Sequence, residues 1–204
     1  MSTVQNIIDG ALGWSTLNDQ DILASDTELI NLIDLLQKRY FSRAAAVNPA
    51  YFGSRTTVVA PGLAGSPWTA PATASIVFRI EKVNGTKVHI VPLDDQNAAY
   101  APSVFELGQA FYSTGADPDP TTESLNFYFS AIPTTLTAVV DSLDSLWPEH
   151  FDGILELEVA KYLSLKDGRE GEAAALDTIL TSQLDAFDTE VGSFNAAREG
   201  RFAV

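Results

Sequence analysis

The chain has 204 residues, of which 46% are hydrophobic and none is cysteine, and its 27 acidic against 12 basic residues leave a formal net charge of −15 at pH 7. This composition allows one domain, or one domain with an inserted subdomain, around a sizeable core. It excludes disulfides, thiolate nucleophiles and cysteine-ligated zinc. No apolar run approaches the roughly 20 residues of a membrane helix, and residues 1–6 lack the basic start of a secretory signal, so we expect neither.

The negative charge is concentrated in the C-terminal third. Residues 141–190 hold 13 acidic and 3 basic residues, whereas residues 1–80 hold 6 and 5. A surface of this sign repels nucleic acid because it offers phosphates no cation. Two interpretations remain open: the charge keeps the protein soluble, or it belongs to a protein that DNA must pass without sticking.

Two helices are predicted before residue 50. Apolar residues recur at helical spacing over residues 3–13. Ser25 followed three residues later by Glu28 is typical of a capping box. The wide apolar stripe after it predicts a second helix over residues 26–47, which Asn48-Pro49 ends.

The middle of the chain changes to strand-forming sequence. Apolar residues alternate over residues 75–83 and 86–93, on either side of Asn84-Gly85. This pattern predicts a hairpin with a two-residue type I′ turn. Further strands are predicted at residues 56–59, at residues 104–114 with a turn near Gly108, and at residues 125–132, which Pro133 ends.

The last third is predicted to be helical. Residues 136–146 read as a helix or helical turn, a longer helix follows from Pro148 to about Lys166, and a final helix covers residues 170–197. Asp167-Gly168 is typical of a helix end and separates the last two helices.

This order of elements predicts an α+β fold in which the N- and C-terminal helices form a helical bundle with an inserted antiparallel β hairpin or sheet region. The predicted boundaries are residues 1–53 and 135–197 for the bundle, 54–134 for the β insertion, and 198–204 for a C-terminal tail.

The sequence offers no candidate catalytic, cofactor or metal site. His89 and His150 lie far apart in the chain, and a metal site needs a cluster of ligands. The glycine-containing stretch at residues 62–66 lacks the lysine of a phosphate-binding loop, and no Gly-x-Ser-x-Gly nucleophile motif occurs. We therefore expect a protein that is not an enzyme and that carries no cofactor or metal.

Five parts of the sequence follow one another in a recognisable order: residues 4–9 and 26–34, residues 76–91, residues 125–133, Leu143-Asp144-Ser145-Leu146-Trp147-Pro148, and Lys166-Asp167-Gly168-Arg169. Together they resemble the head–tail adaptor (connector) proteins of tailed bacteriophages. In this order they look like the first two helices of that family, its projecting β hairpin, the strand ending in proline that leads back to the bundle, and the start of its last two helices with the turn between them.

This resemblance implies a structural virion protein of the bacteriophage neck, between head and tail, assembled in the host cytoplasm. Adaptors form an oligomeric ring, commonly of twelve copies, beneath the portal, where they extend the DNA channel and provide the tail attachment platform. The implied partners are the portal protein, the next tail or neck component and further copies of the chain. DNA is expected to pass through the channel during ejection without specific binding, and no membrane is involved.

Two sets of residues follow from the resemblance. A C-terminal segment of adaptors often docks on the portal, and arginine and aromatic residues dominate interface hot spots. The portal-interface candidates are Arg198, Arg201, Phe202 and Val204. The DNA-channel candidates are Asp177, Asp185 and Asp188, although a solvated outer face of the last helix fits them equally well.

An alternative from another class is a capsid decoration protein or a ligand-binding module that uses the β insertion. Aromatic side chains would then supply the contacts with the ligand. The candidates are Trp68, Tyr100, Tyr112 and Tyr128. This alternative predicts exposed rings, whereas rings buried against one another would argue against it.

Overall fold

The computed structural model describes residues 1–15, 24–95 and 102–195. The chain forms two compact units. The first, here called the helical unit, comprises residues 1–48 and 133–194, and the second, the β unit, comprises residues 49–132. No helix in the described ranges combines the length and apolar character needed to cross a membrane.

The helical unit contains α1 (Val4–Trp14), α2 (Asp26–Val47), α3 (Asp152–Lys166) and α4 (Glu170–Ser193). The β unit contains β1 (Gly53–Val58), β2 (Trp68–Thr69), β3 (Ala74–Lys82), β4 (Lys87–Val91), β5 (Ser103–Leu107), β6 (Ala110–Ser113) and β7 (Leu125–Ala131). Short 3-10 turns cover Leu93–Asp95 and Glu149–Phe151.

The β unit is a seven-stranded, nearly closed, barrel-like sheet with the strand order β1-β7-β3-β4-β5-β6-β2. Its pairs are antiparallel except β4 with β5, which is parallel. The predicted fold class, a helical bundle with an inserted antiparallel hairpin or sheet region, is therefore wrong. The hairpin signal revealed one local pairing, whereas β7 inserts between β1 and β3, which precede it by dozens of residues.

The interior of the sheet holds one apolar core. Trp68 is fully buried, and its Nε1 donates to the carbonyl oxygen of Glu123 at 2.9 Å. The other large members of the core are Ile80, Val88, Val104, Phe111, Leu125, Phe127 and Phe129. Phe111 and Phe127 meet edge to face at 5.1 Å. Burying each such side chain favours folding by about 1.5–3 kcal/mol, so this unit has a core of its own.

The predicted hairpin is confirmed, but its turn differs. Lys82 N–H donates to the carbonyl of Thr86 at 2.8 Å, and Gly85 N–H donates to the carbonyl of Lys82 at 2.9 Å. Gly85 has φ +87°, whereas no residue other than glycine has a positive φ in the described ranges. A type I′ turn would require a positive φ at Asn84 as well. The loop is therefore the three-residue type in which glycine takes the left-handed position.

The helices at both ends are confirmed, with one exception. Residues 136–146 form turns rather than a helix, because Asp141 accepts from the backbone N–H groups of Thr137 and Ala138 at 2.7 and 2.9 Å and so closes a local turn. Ser25 caps α2 by accepting from Glu28 N–H at 3.3 Å. The Glu28 side chain does not complete the predicted capping box, since it binds Tyr162 and Lys166 of α3.

Candidate functional site

The portal-interface candidates Arg198, Arg201, Phe202 and Val204 lie outside the described residues, as does Tyr100. The docking of the C-terminal tail therefore stays a prediction. The remaining candidates lie in α4 and in the β unit.

The three DNA-channel candidates lie on α4 but differ in their surroundings. Asp177 forms an ion pair with Lys161 of α3. Asp188 accepts from Arg43 Nε of α2 at 2.8 Å. Asp185 is exposed and forms no ion pair with any described residue. Two of the three charges are therefore partly neutralised by ion pairs within the helical unit, whereas Asp185 interacts with Arg43 only at longer range.

Packing of aromatic rings fixes the position of α4. Phe187 is fully buried and lies edge-on to Tyr40 at 5.9 Å and to Phe151 at 5.1 Å. Trp147 stacks on the same ring at 6.2 Å, and its Nε1 donates to Asp152 Oδ1 at 3.0 Å. Such pairs add about 0.5–1.5 kcal/mol beyond burial. The acidic face of α4 is thus held by a rigid aromatic cluster.

Tyr40 connects this cluster to α3. Its hydroxyl donates to Glu158 Oε1 at 2.8 Å. Burial raises the pKa of Tyr40, and the neighbouring Glu158 carboxylate raises it further. The hydroxyl therefore stays protonated and serves as a hydrogen-bond donor at any physiological pH.

The helical unit has a large surplus of negative charge. It contains 19 acidic and 6 basic residues, a net charge of −13. Each of the six basic side chains forms an ion pair within the unit. The pairs are Lys38–Asp34, Arg39–Glu158, Arg43–Asp188, Lys161–Asp177, Lys166–Glu28, and Arg169 with Asp167 and Glu172. No cation of the helical unit is therefore left without an acidic partner.

The β unit differs in charge and carries an exposed pair of arginines. Arg55 of β1 and Arg79 of β3 are both in register with Tyr128 of β7, which lies between them. The guanidinium carbons lie 5.6 Å and 4.9 Å from the centroid of the Tyr128 ring. These are cation–π distances. Arg55 and Arg79, here called the arginine pair, are therefore held on one face of three neighbouring strands.

A buried carboxylate binds the Tyr128 hydroxyl and one member of the arginine pair. Glu81 is only 5% exposed and accepts from the Tyr128 hydroxyl at 2.7 Å and from Arg79 Nε at 2.9 Å. Burial acts to raise the pKa of Glu81, but the hydrogen bonds from Tyr128 and Arg79 outweigh it, so the pKa lies below its ordinary value. Arg55 forms no ion pair with any described residue. Its charge acts on Glu81 at longer range and helps to lower the pKa of that carboxyl, while its exposed side chain remains accessible to a partner.

Sequence reasoning missed the arginine pair. Arg55 and Arg79 are 24 residues apart, and β7 follows only at residue 125. Arg79 and Glu81 are two residues apart on β3 and therefore share one face of the strand, but the approach of Arg79 to Arg55 depends on how the strands pair.

A cleft of about 350 Å³ lies at the end of the sheet near β6. Ser66, Tyr112 and Asp119 contribute to its wall. The Tyr112 ring stacks on Phe105 at 5.3 Å with an interplanar angle of 15°. The Asp119 carboxylate is held by Thr121, whose N–H donates to it at 2.9 Å and whose hydrogen bonds lower the pKa of Asp119. The cleft thus has one aromatic wall and a fixed carboxylate.

The aromatic candidates of the alternative hypothesis have different positions. Trp68 and Tyr128 are buried, at 0% and 1% exposure, whereas Tyr112 is half-buried beside the cleft. His150 Nε2 lies 3.0 Å from Glu190 Oε2, and His89 is on β4. Within the described ranges, no three histidine, aspartate or glutamate side chains form a group that could hold a metal ion.

Comparison of the sequence with known proteins finds no matching family model and no matching curated protein.

Proposed function

We propose that this chain is a structural virion protein, a head–tail adaptor that forms a ring beneath the portal, extends the DNA channel and provides the tail attachment platform. The resemblance of its sequence to that family supports the proposal. The charge of the helical unit supports it independently.

The observation that carries the proposal is the uncompensated negative charge of the helical unit. With 19 acidic residues, 6 basic residues and every basic side chain in an ion pair, the unit offers phosphates no unengaged cation. DNA next to such a surface is repelled along its whole length and finds no binding site. A channel wall needs this property, because DNA must slide past it during ejection.

The stretch Leu143–Pro148, which contributes to the resemblance, is firmly held within the helical unit. Leu143 and Trp147 are buried, and Asp144 accepts from Thr134 N–H at 3.0 Å. Gln37 of α2 accepts from Asp144 N–H at 2.9 Å. The segment that leads into α3 is therefore fixed to α2. A tail attachment platform requires such a fixed connection between its helices.

Native mass spectrometry of the purified protein tests the proposal, first alone and then mixed with the portal ring from the same genome. We expect a complex with a defined number of copies on the portal. A protein that leaves the portal mass unchanged over the accessible concentration range would contradict it. A portal from an unrelated phage serves as the specificity control.

The alternative, a capsid decoration or ligand-binding module, has one observation in its favour. Tyr112 lines the cleft beside Asp119, and an aromatic wall with a fixed carboxylate suits a small polar ligand. The burial of Trp68 and Tyr128 removes two of its four aromatic candidates. If a Tyr112→Ala variant binds the portal ring as the wild-type protein does, the cleft has no part in adaptor function.

A further inference from the structure

We propose that the arginine pair is the docking site for the acidic helical unit of a second copy of this chain. The inference rests on the proposed function, since a ring requires a contact between neighbouring copies. The inference adds to that function which two surfaces of neighbouring copies form the contact.

The first step is the preorganisation of the arginine pair. Tyr128 is fixed by its hydrogen bond to Glu81, and both guanidinium groups lie against its ring. Arg79 is additionally held by Glu81, while its side chain remains 47% exposed. Guanidinium groups held in this way lose less conformational freedom when they bind a carboxylate.

The second step is the lack of an acidic partner for Arg55. Arg55 is exposed on β1, an edge strand of the sheet. No described carboxylate lies within ion-pair distance of it. In a chain with a net charge of −15, an exposed arginine that is held against a tyrosine, and that acts on Glu81 only beyond ion-pair distance, is a site prepared for an acidic partner.

The third step identifies the partner by charge. The helical unit has a net charge of −13 and all six of its cations engaged, whereas the β unit has 7 acidic and 4 basic residues. The β unit as a whole is also negative, so the complementarity is local: the arginine pair is a cationic patch, and the most acidic surface that another copy offers it is the helical unit. Contacts between two different surfaces of identical chains are heterologous and close into rings when the rotation allows.

Carboxylates of the helical unit without a cation are the contact candidates. Asp26 of α2 and Glu170 of α4 are the clearest, because both are exposed and neither forms an ion pair with a described residue. The contact pairs Arg55 of one copy with such a carboxylate of the next, while Arg79 contributes the part of its guanidinium that Glu81 leaves exposed.

The first test compares self-association of the wild-type protein with that of Arg55→Glu and of Lys87→Glu, both alone and on the portal ring. Lys87 is also an exposed cation of the β unit, so its variant has the same change in net charge. Melting curves establish that both variants fold. We expect Arg55→Glu to weaken association between copies by at least about tenfold, with no comparable effect of Lys87→Glu.

The second test identifies the partner surface. The Arg55→Lys variant keeps the charge and allows a carbodiimide to join position 55 to a carboxylate in direct contact. A mixture of unlabelled and ¹⁵N-labelled chains distinguishes links between copies from links within one. We expect links between copies that end on carboxylates of residues 1–48 or 133–194.

Each result has a defined meaning. Unchanged association of Arg55→Glu, or links that end on the β unit or on the portal, overturns the inference while the adaptor proposal stands. Failure of the wild-type protein to bind the portal overturns the adaptor proposal itself. Retention of duplex DNA by the wild-type protein that Arg55→Glu abolishes would make the arginine pair a phosphate site and overturn the inference.

Discussion

Gln37 and Asp144 are joined by a hydrogen bond in which the buried amide oxygen of Gln37 accepts from Asp144 N–H at 2.9 Å. The amide nitrogen of Gln37 donates to the carbonyl of Thr134 at 3.2 Å. One fully buried side chain of α2 therefore satisfies two backbone groups of the segment that precedes α3.

We expect Gln37→Leu to lower the free energy of unfolding by about 1–2 kcal/mol, because the part-buried N–H of Asp144 and carbonyl of Thr134 lose their partner. Urea unfolding followed by circular dichroism measures the change. Gln5 donates to Asp9 from the exposed face of α1. As a control, Gln5→Leu should change stability by less than about 0.5 kcal/mol. Equal effects of the two substitutions would contradict the bridging role.

Gly10 marks a close approach between α1 and α3. A Cβ at this position would lie 2.4 Å from the Glu156 carboxyl carbon. Glu156 Oε2 also accepts from Trp14 Nε1 at 2.9 Å. We expect Gly10→Ala to displace the end of the flexible Glu156 side chain and to break its bond to Trp14, with a measurable change in tryptophan fluorescence. Because alanine also has the better helix propensity, the unfolding free energy should change by less than about 1 kcal/mol.

Gly13 supplies the matched control on the same helix, because a Cβ there would meet no atom within 4 Å. Gly13→Ala should stabilise the protein by about 0.5–1 kcal/mol through the lower conformational entropy of the unfolded chain. Destabilisation by Gly13→Ala, or the same change of tryptophan fluorescence in both variants, would contradict the contact between position 10 and Glu156, because alanine has the higher helix propensity at either site.

Ser164 has a fully buried hydroxyl in α3 with no hydrogen-bond partner in the described parts of the chain. A buried hydroxyl without a partner opposes folding. We therefore expect Ser164→Ala to leave the unfolding free energy unchanged or to raise it. Ser130 is equally buried but donates to the carbonyl of Pro49 at 2.6 Å, so Ser130→Ala should cost about 1 kcal/mol in the same denaturation experiment.

Glu81 is predicted to make stability depend on pH. Its pKa is lowered in the folded protein, since hydrogen bonds from Tyr128 and Arg79 outweigh the effect of burial. A lowered folded-state pKa contributes stability that is present above the unfolded value and lost as the pH falls through the folded value. Measured between pH 7 and pH 3, the wild-type protein should therefore lose stability below about pH 4.5. This loss should be smaller in Glu81→Gln.

Glu106 provides a contrast of opposite sign. Partial desolvation of its carboxyl raises the pKa of Glu106 although the residue is exposed, so a small contribution to stability is present below the unfolded value and lost as the pH rises through the folded value. As the pH rises past the ordinary pKa of a glutamate, the wild-type protein should lose a small part of its stability. This loss should be absent in Glu106→Gln. Identical pH profiles for the two variants would contradict both assignments.

Asp185 gives the sharpest test of the channel-wall hypothesis. A cation at this position would offer phosphates a contact that the wild-type surface lacks. We expect virions carrying Asp185→Lys to eject DNA more slowly, with a stronger effect at low salt. The same reversal at Asp9, which is exposed on α1, is the control for altered net charge. Unchanged ejection with Asp185→Lys would remove Asp185 from the channel wall.

The sequence alone predicted most of the local structure. Helical periodicity identified α1, α2, α3 and α4 to within a few residues. Asn84-Gly85 and Gly108 correctly indicated where strands turn back. These signals are readable because spacing, caps and turn residues act over only a few positions. Residues 136–146, predicted as a helix or helical turn, show the limit, since they form only short turns in which Asp141 accepts local hydrogen bonds.

The sequence by itself determined the charge imbalance, the positions of most helices and strands, and the lack of cysteine chemistry. Only the tertiary structure decided that seven strands form one barrel-like sheet and that β7 lies between β1 and β3. That pairing brings Arg55, Tyr128 and Arg79 side by side, and helix packing sets which carboxylates are neutralised. The physical reason is that strand order and ion pairing depend on burial between distant residues, and no local pattern encodes that burial.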